Sequence, residues 1–167
     1  MQRVLRALTA VLTMTFLATL LFVNSASAQT AQNLVGTWAW VSVDVTGQDG
    51  VKRQPFGPTP KGFVMFDSNG RFGYLLTSPG RSKFASNNRD QGTPEENKAT
   101  VQGSLAYTGT YSVSDKTLTL SIEASTYPNA EGAQQKRTIT LAGDEMKWEN
   151  PVTTTGGTAV AVFKRVK

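Results

Sequence analysis

The chemistry open to this protein is limited first by two residue types that it lacks. Its 167 residues include no histidine and no cysteine. Ser–His–Asp and Cys–His catalysis, zinc sites built on these residues, and haem held by either of them are therefore excluded. Disulfides are excluded as well, so stability must come from closing a sheet and filling its core. We expect no cofactor and no metal ion.

The side chains left for polar chemistry are tyrosines, carboxylates and an arginine in the second half of the chain. Tyr74, Tyr111 and Arg137 could act as acid, base or electrostatic stabiliser. The carboxylates of Asp44 and Glu123 are further candidates. Nothing in the spacing of these residues demands catalysis, and histidine, the usual group that titrates near neutral pH, is missing. The sequence therefore leans away from an enzyme and assigns no catalytic residue.

Arg137 is the charged side chain that alternation places inside the fold. It has the same parity as Ile139 and Leu141 in a segment typical of a strand. A buried charge is costly unless it is paired, so an inward Arg137 needs Asp44, a tyrosine hydroxyl or a ligand carboxylate. Glu123 has the outward parity. Alternatively, Arg137 lies near a strand end and reaches water, or a bulge reverses its face.

Aromatic side chains accompany this arginine on the predicted inner face. An apolar cavity with a few polar groups is the usual form of a small-molecule site. We predict that the ligand-binding residues are Trp40, Tyr74, Tyr111 and Arg137, with Phe56 in a proline-rich loop as a lid residue. Phe56 could equally hold its loop against the wall, and each aromatic residue could simply be core. The predicted interior also contains Tyr107, Leu120, Ile122, Ile139, Trp148 and Phe163.

The segment 34–45, LVGTWAWVSVDV, is the element that positions these groups. Alternation predicts a strand with Trp38 on the inner face, together with Asp44 further along. Gly36 leaves room for a close crossing, and the indole of Trp38 would fill the floor of a closed sheet. The chain also ends in a strand pattern. If the last strand pairs with the first, Arg165 lies across Trp38 in a cation–π contact.

Further alternating segments predict about eight antiparallel strands. The turn 67–70, DSNG, indicates a hairpin, and 107–113 with 118–124 forms the cleanest one, with Ala124 on its inner face. The capping box at 93–96, TPEE, predicts a short helix inserted after the third strand. The predicted fold is all-β, an eight-stranded antiparallel up-and-down barrel.

Residues 1–28 are typical of a cleaved export signal. Two arginines precede an uncharged apolar run from Ala7 to Val23, and 26–28, ASA, fits the cleavage pattern. We expect cleavage after this motif, a single domain over 29–167, no stable membrane anchor, and a periplasmic or secreted protein. A retained anchor is the competing interpretation, although the run is short for a membrane span.

The net charge does not indicate a nucleic-acid partner. The chain carries a formal charge of +5, which includes the two arginines of the N-terminal segment. The other basic residues are scattered, whereas a nucleic-acid-binding surface needs a basic patch or stripe. The sequence contains no signal for an oligomeric state.

Five motifs occur in order along the chain: LVGTW at 34–38, PFGPTPKG at 55–62, TPEE at 93–96, YTGTYSV at 107–113 and KRV at 164–166. Together they resemble the bacterial and fungal lipocalin-like domain family. The likeness covers essentially all of the chain after residue 28 and implies a calycin-type β-barrel. Relatives often carry a histidine in the strand that matches 118–123. This chain has none there, so chemistry that depends on that histidine is not expected.

Three functions are compatible with these observations. The first is a binding protein that holds a small hydrophobic or amphipathic molecule inside the barrel. The second is a structural or interaction barrel with a filled core, which would contact partners through the loop 81–90. The third is a histidine-independent isomerase or cyclase. The export signal and the aromatic inner face favour the first.

Overall fold

The described part of the chain, residues 30–167 of a computed structural model, forms nine antiparallel strands and two short helices. The strands are β1 (Gly36–Thr46), β2 (Lys52–Arg53), β3 (Lys61–Phe66), β4 (Arg71–Thr77), β5 (Ser104–Ser114), β6 (Thr117–Ser125), β7 (Gln134–Ala142), β8 (Glu145–Asn150) and β9 (Thr158–Arg165). The helices are α1 (Ala31–Leu34) and α2 (Pro94–Gln102), with 3-10 turns at Arg89–Gln91 and Pro128–Ala130. The predicted export signal, 1–28, lies outside the described residues.

Eight of these strands close into a barrel. From β3 to β9 each strand pairs with the next, β1 pairs with β3, and β9 returns to pair with β1. The two-residue strand β2 is an outer addition at the end of β1. Each of the eight barrel strands pairs with a neighbour on both sides. The predicted eight-stranded antiparallel barrel is confirmed.

Helix α2 is inserted after the third barrel strand, as predicted. The Thr93 hydroxyl accepts a hydrogen bond from the Glu96 N–H (3.2 Å), and the Glu96 carboxylate accepts one from the Thr93 N–H (2.9 Å). Pro94 occupies the first helical position, where its missing N–H costs nothing. This capping box starts the helix where the motif predicts. Neither α2 nor any other helix within residues 30–167 is long and apolar enough to cross a membrane.

The two ends of the barrel differ. Because the strands run antiparallel, the tight turns 67–70, 115–116 and 143–144 lie at the same end as α1, and we call it the closed end. The long connections, including 78–103 with α2, lie at the other end, which we call the open end. Any molecule that enters the barrel would therefore pass these longer segments.

A β-bulge in β1 changes which of its residues face the interior. The register against β9 shifts between Trp40 and Ser42, so the intervening Val41 projects outwards and is 47% exposed. Val43 is consequently buried, and Asp44 lies on the outer face. The prediction that Asp44 shares the inner face was wrong, because strict alternation ends at a bulge.

A second bulge lies in β6. Ile122 pairs with Gly109 of β5 and Ala124 pairs with the adjacent Thr108, so Glu123 between them is the extra residue. Ala124 is therefore exposed, whereas alternation predicted it inside. Gly109 stands opposite the bulge, where an added Cβ would lie 1.9 Å from the carbonyl oxygen of Ser121. Only glycine permits this close approach of the two backbones.

We predict that Gly109→Ala lowers the free energy of unfolding by about 3 kcal/mol, because the methyl group collides with backbone that cannot move aside. Gly73→Ala in the neighbouring β4 is the matched control, since a Cβ there meets nothing within 4 Å. It should change stability by less than about 1 kcal/mol. Urea unfolding followed by tryptophan fluorescence measures both variants. Equal losses in the two variants would contradict the crowding at the bulge.

Candidate functional site

The closed end is sealed by a contact between Trp38 and Arg165. The guanidinium carbon lies 4.0 Å from the centroid of the indole, and the two residues are paired across β1 and β9. The same guanidinium donates hydrogen bonds to the carbonyl oxygens of Asn33 (2.8 Å) and Val35 (2.7 Å). Trp38 Nε1 donates to the Leu34 carbonyl oxygen (2.8 Å). The predicted cation–π contact is present, and it ties α1 to the barrel floor.

Two further residues of interest belong to this closed end. Gly36 has φ 125°, and a Cβ there would lie 2.9 Å from the guanidinium of Arg165. The Tyr111 hydroxyl donates to the carbonyl oxygen of Asp67 (2.9 Å), and its ring packs against Phe66 at 4.8 Å between centroids. The hydroxyl of Tyr111, which was predicted as a ligand-binding residue, is therefore used in a hydrogen bond within the barrel floor.

An aromatic cluster fills the middle of the barrel. The centroid of Trp40 lies 4.3 Å from that of Phe163 and 5.0 Å from that of Tyr74. Tyr74 stacks on Tyr107 with 4.1 Å between centroids, and Trp148 lies 4.7 Å from Phe163. Such pairs each contribute roughly 0.5–1.5 kcal/mol beyond their burial. The predicted aromatic interior is thus mostly packed core.

A cavity of about 70 Å³ remains between this cluster and the open end, and we call it the mouth cavity. It is lined by Trp40, Tyr74, Tyr107, Trp148, Arg137 and Asn150, together with small apolar side chains. Pockets for drug-sized ligands measure roughly 300–1,000 Å³. The mouth cavity is therefore several-fold smaller than such pockets.

Arg137 is the charged group of the mouth cavity. It is the fourth of the nine residues of β7 and is only 9% exposed. Its Nη1 donates to the carbonyl oxygen of Lys136 (3.0 Å), and its Nη2 donates to the side-chain oxygen of Gln135. The inward face that alternation predicted for Arg137 is confirmed by its burial.

The carboxylates considered as partners of Arg137 are engaged elsewhere. Asp44 accepts a hydrogen bond from Gln54 (2.9 Å), and Glu123 forms an outer salt bridge with Arg71 (2.7 Å). No salt bridge within residues 30–167 includes Arg137. The expectation that Asp44 is the internal partner was therefore wrong, because the bulge in β1 turns it outwards.

The two phenols beside Arg137 remain neutral at physiological pH. Burial raises the pKa of Tyr107, and the nearby guanidinium partly counteracts that rise. Burial also raises the pKa of Tyr74 well above its usual value, even though part of this residue is accessible to solvent. Tyr107 adds to this rise, and Arg137 again opposes it. Arg137 is thus the one charge among the described residues that line the mouth cavity.

Of the five predicted ligand-binding residues, the structure brings together three. Trp40, Tyr74 and Arg137 line the mouth cavity. Tyr111 lies at the closed end, as described above. Phe56 is partly buried and packs against the core, without lining the cavity. The three residues that the structure brings together therefore define a site towards the open end of the barrel.

Sequence reasoning did not assign six of the lining residues to a site: Val43, Tyr107, Trp148, Asn150, Ala159 and Ala161. Asn150 has the same parity as Trp148 in β8, so alternation contains the signal that could have found it. Val43 lines the cavity only because of the bulge beyond Trp40, and nothing in a single sequence marks that bulge. Tyr107 was predicted inside but was not assigned to a ligand.

A larger, shallow groove of about 450 Å³ lies on the outer wall. It runs over β4, β5 and β6 between Leu75 and Ala124, with Phe63 at one side. Its charged residue, Glu131, accepts a hydrogen bond from the Ser125 N–H (3.0 Å). Glu131 is exposed, so none of the residues that line this groove is a buried charged side chain that could orient a ligand. The mouth cavity is the stronger candidate site despite its smaller volume.

The described residues do not form a metal centre. Within residues 30–167 no group of three or more His, Cys, Asp or Glu side chains is placed to hold a metal ion. The donors that line the mouth cavity are a guanidinium, a carboxamide and neutral phenols. These groups suit a ligand with hydrogen-bond acceptors better than a cation.

A closed up-and-down barrel of eight antiparallel strands, with a cavity towards one end, is a lipocalin-type architecture. The sequence matches the family model of the lipocalin-like domain over residues 35–166, and the chain belongs to this family. A comparison with curated proteins gives no match.

Two solved structures from Bacteroides are similar to this chain. A lipocalin-like protein from Bacteroides uniformis is 14% identical, with a TM-score of 0.44. An uncharacterised protein from Bacteroides eggerthii is 15% identical, with a TM-score of 0.42. Each alignment covers 80% of this chain and 99% of the other.

We predict that replacing Arg165 at the closed end and Arg137 in the mouth cavity affects stability differently. Arg165→Met loses two charge-assisted hydrogen bonds and the indole contact, and should lower the free energy of unfolding by about 3 kcal/mol. Arg137→Met removes a buried charge without a carboxylate partner, and should leave stability unchanged or raise it by about 1 kcal/mol. Chemical denaturation measures both. A loss in Arg137→Met as large as in Arg165→Met would show that Arg137 is a structural residue.

We also predict that Tyr74 and Tyr107 titrate at higher pH than an exposed tyrosine. Phenolate absorbance from Tyr74 and Tyr107 should develop above the usual tyrosine pKa of about 10. In Arg137→Met it should move to still higher pH, because the guanidinium that favours the phenolate is gone. The raised folded-state pKa means that stability is intact below about pH 10 and falls as pH rises through that pKa. An unshifted titration in Arg137→Met would place the guanidinium away from both phenols.

Proposed function

We propose that this protein is exported and binds a small amphipathic molecule in the mouth cavity. The observation that carries the proposal is Arg137, a cation that is nine-tenths buried at a cavity and has no carboxylate partner among residues 30–167. Burying a charge without a counter-charge costs several kcal/mol. A bound anion would offset this cost.

The mouth cavity combines the two kinds of wall that an amphipathic molecule needs. Trp40 and Trp148 provide apolar surface, while Arg137 and Asn150 provide polar groups. The neutral phenol of Tyr107 can donate a hydrogen bond next to the guanidinium. A ligand would therefore place its polar end at Arg137 and its apolar part against the indoles.

Access to the cavity depends on the segments at the open end. The loop that carries Phe56 lies against the next long connection, since a Cβ on Gly57 would be 3.6 Å from the Pro79 ring. Phe56 itself is partly buried on the core. We propose that these two segments together cover the open end, with Phe56 as the residue that a ligand passes on entry.

Binding accounts for the site better than catalysis does. The raised pKa values of Tyr74 and Tyr107 keep both phenols protonated near neutral pH, which makes them poor general bases. Arg137 can stabilise negative charge but does not exchange protons in this range. The site contains hydrogen-bond donors in an apolar setting, which suits recognition of a bound molecule.

The location proposal depends on the N-terminal segment. An apolar run that follows two arginines and ends in a small-residue motif is the pattern of a cleaved export signal. A cysteine-free chain needs no disulfide formation after export. We therefore place the mature barrel, from residue 29, in the periplasm or the extracellular space.

Native mass spectrometry of the protein recovered from exporting cells tests both parts of this proposal. We expect a chain that begins at residue 29, together with a small co-purifying molecule. The molecule should be lost or depleted in Tyr107→Phe, which removes a hydroxyl from the mouth cavity. Tyr111→Phe is the matched control, because its hydroxyl bonds the Asp67 carbonyl at the closed end.

A clean apo mass in the wild-type protein, with no binding of any small molecule in solution, would contradict the binding proposal. The interaction-barrel alternative would then be tested by replacing the loop 81–90. A mass that includes residues 1–28 in the exported protein would contradict the cleavage.

A further inference from the structure

We propose that the ligand of the mouth cavity is a short-chain monocarboxylic acid whose carboxylate binds Arg137. This inference rests on the proposed function and adds the chemical class and size of the ligand. It is based on the charge, the donor geometry and the volume of the cavity.

The charge of the cavity calls for one negative charge on the ligand. Among the described residues that line it, Arg137 is the one charged side chain, and burial raises the pKa of both lining phenols, which keeps them neutral. A neutral ligand would leave the buried cation uncompensated. A dianion such as phosphate would bring a second negative charge into an apolar space with no cation to meet it. A monoanion is therefore the best match.

The donors around Arg137 match a carboxylate in particular. Its contacts with the Lys136 carbonyl and the Gln135 side chain hold the guanidinium in place and use only part of its five N–H donors. The planar fork of a guanidinium binds the two oxygens of a carboxylate side by side. The Tyr107 hydroxyl lies beside the same guanidinium and beside Tyr74, and its neutral form carries one proton that it can donate.

The volume limits the length of the acid. A volume of about 70 Å³ is several-fold below that of pockets for drug-sized ligands, so it suits an acid of only a few carbon atoms. Propionate and butyrate are of this size. A longer chain directed into the barrel would have to displace the packed aromatic cluster, in which the Trp40 and Phe163 centroids are 4.3 Å apart. The remaining walls, which include Val43 and Ala161, are apolar and suit a short hydrocarbon chain.

Isothermal titration calorimetry with three defined probes tests this proposal on the purified protein. Butyrate carries the charge and the predicted size. Butyramide has nearly the same shape without the charge, and octanoate has the charge on a longer chain. We expect butyrate to bind at least about tenfold more tightly than butyramide, and no less tightly than octanoate.

Three variants test whether Arg137 binds the carboxylate of the ligand. Arg137→Met should reduce butyrate affinity by at least about tenfold and leave the weak butyramide signal unchanged. Arg137→Lys should restore part of the affinity, because it keeps the charge but lacks the planar fork. Arg71→Met is the matched control, since it removes an arginine that pairs with Glu123 on the outer wall. It should bind butyrate as the wild-type protein does.

The outcomes separate this inference from the proposed function. Equal binding of butyrate and butyramide, insensitive to Arg137→Met, would overturn the carboxylate while the binding function stands. Much tighter binding of octanoate would overturn the size limit. If none of the probes binds but a neutral molecule co-purifies, only the inference fails. If no probe binds and the native mass is also clean, both fail.

Discussion

The pairing of the last strand with the first is the constraint on which the rest of this structure depends. It closes the sheet and brings Arg165 over Trp38 at the barrel floor. The guanidinium then bonds the carbonyl oxygens of Asn33 and Val35, so α1 is held beneath the barrel. In a chain without disulfides, this closure must maintain the geometry that a cross-link would otherwise secure.

Closure also divides the interior into a packed part and a polar part. The aromatic cluster around Trp40 and Trp148 occupies the middle, so the space left towards the open end is small. Arg137 is placed in that space by β7, and the bulge in β1 removes Asp44 as its partner. The aromatic cluster and the proposed site are therefore adjacent. Burial stabilises the cluster, whereas the site contains a buried charge without a counter-charge.

The two bulges explain where sequence reasoning succeeded and where it failed. Alternation predicted Trp38 and Arg137 on the inner face, because both lie in regular parts of their strands. It misplaced Asp44 and Ala124, because each follows an extra residue that shifts the register by one. Beyond such a residue every side chain changes face. The position of a bulge depends on the partner strand and is not visible in the periodicity of one segment.

The sequence by itself determined the barrel class, the capped helix α2 and the exclusion of histidine and cysteine chemistry. These follow from local rules: period-two alternation, the capping box at Thr93 and residue composition. Only the tertiary structure decided that Tyr111 belongs to the floor, that Tyr107 and Asn150 belong to the mouth cavity, and how small that cavity is. Distances across a closed barrel depend on strand register and stagger, which arise when all eight strands pair at once.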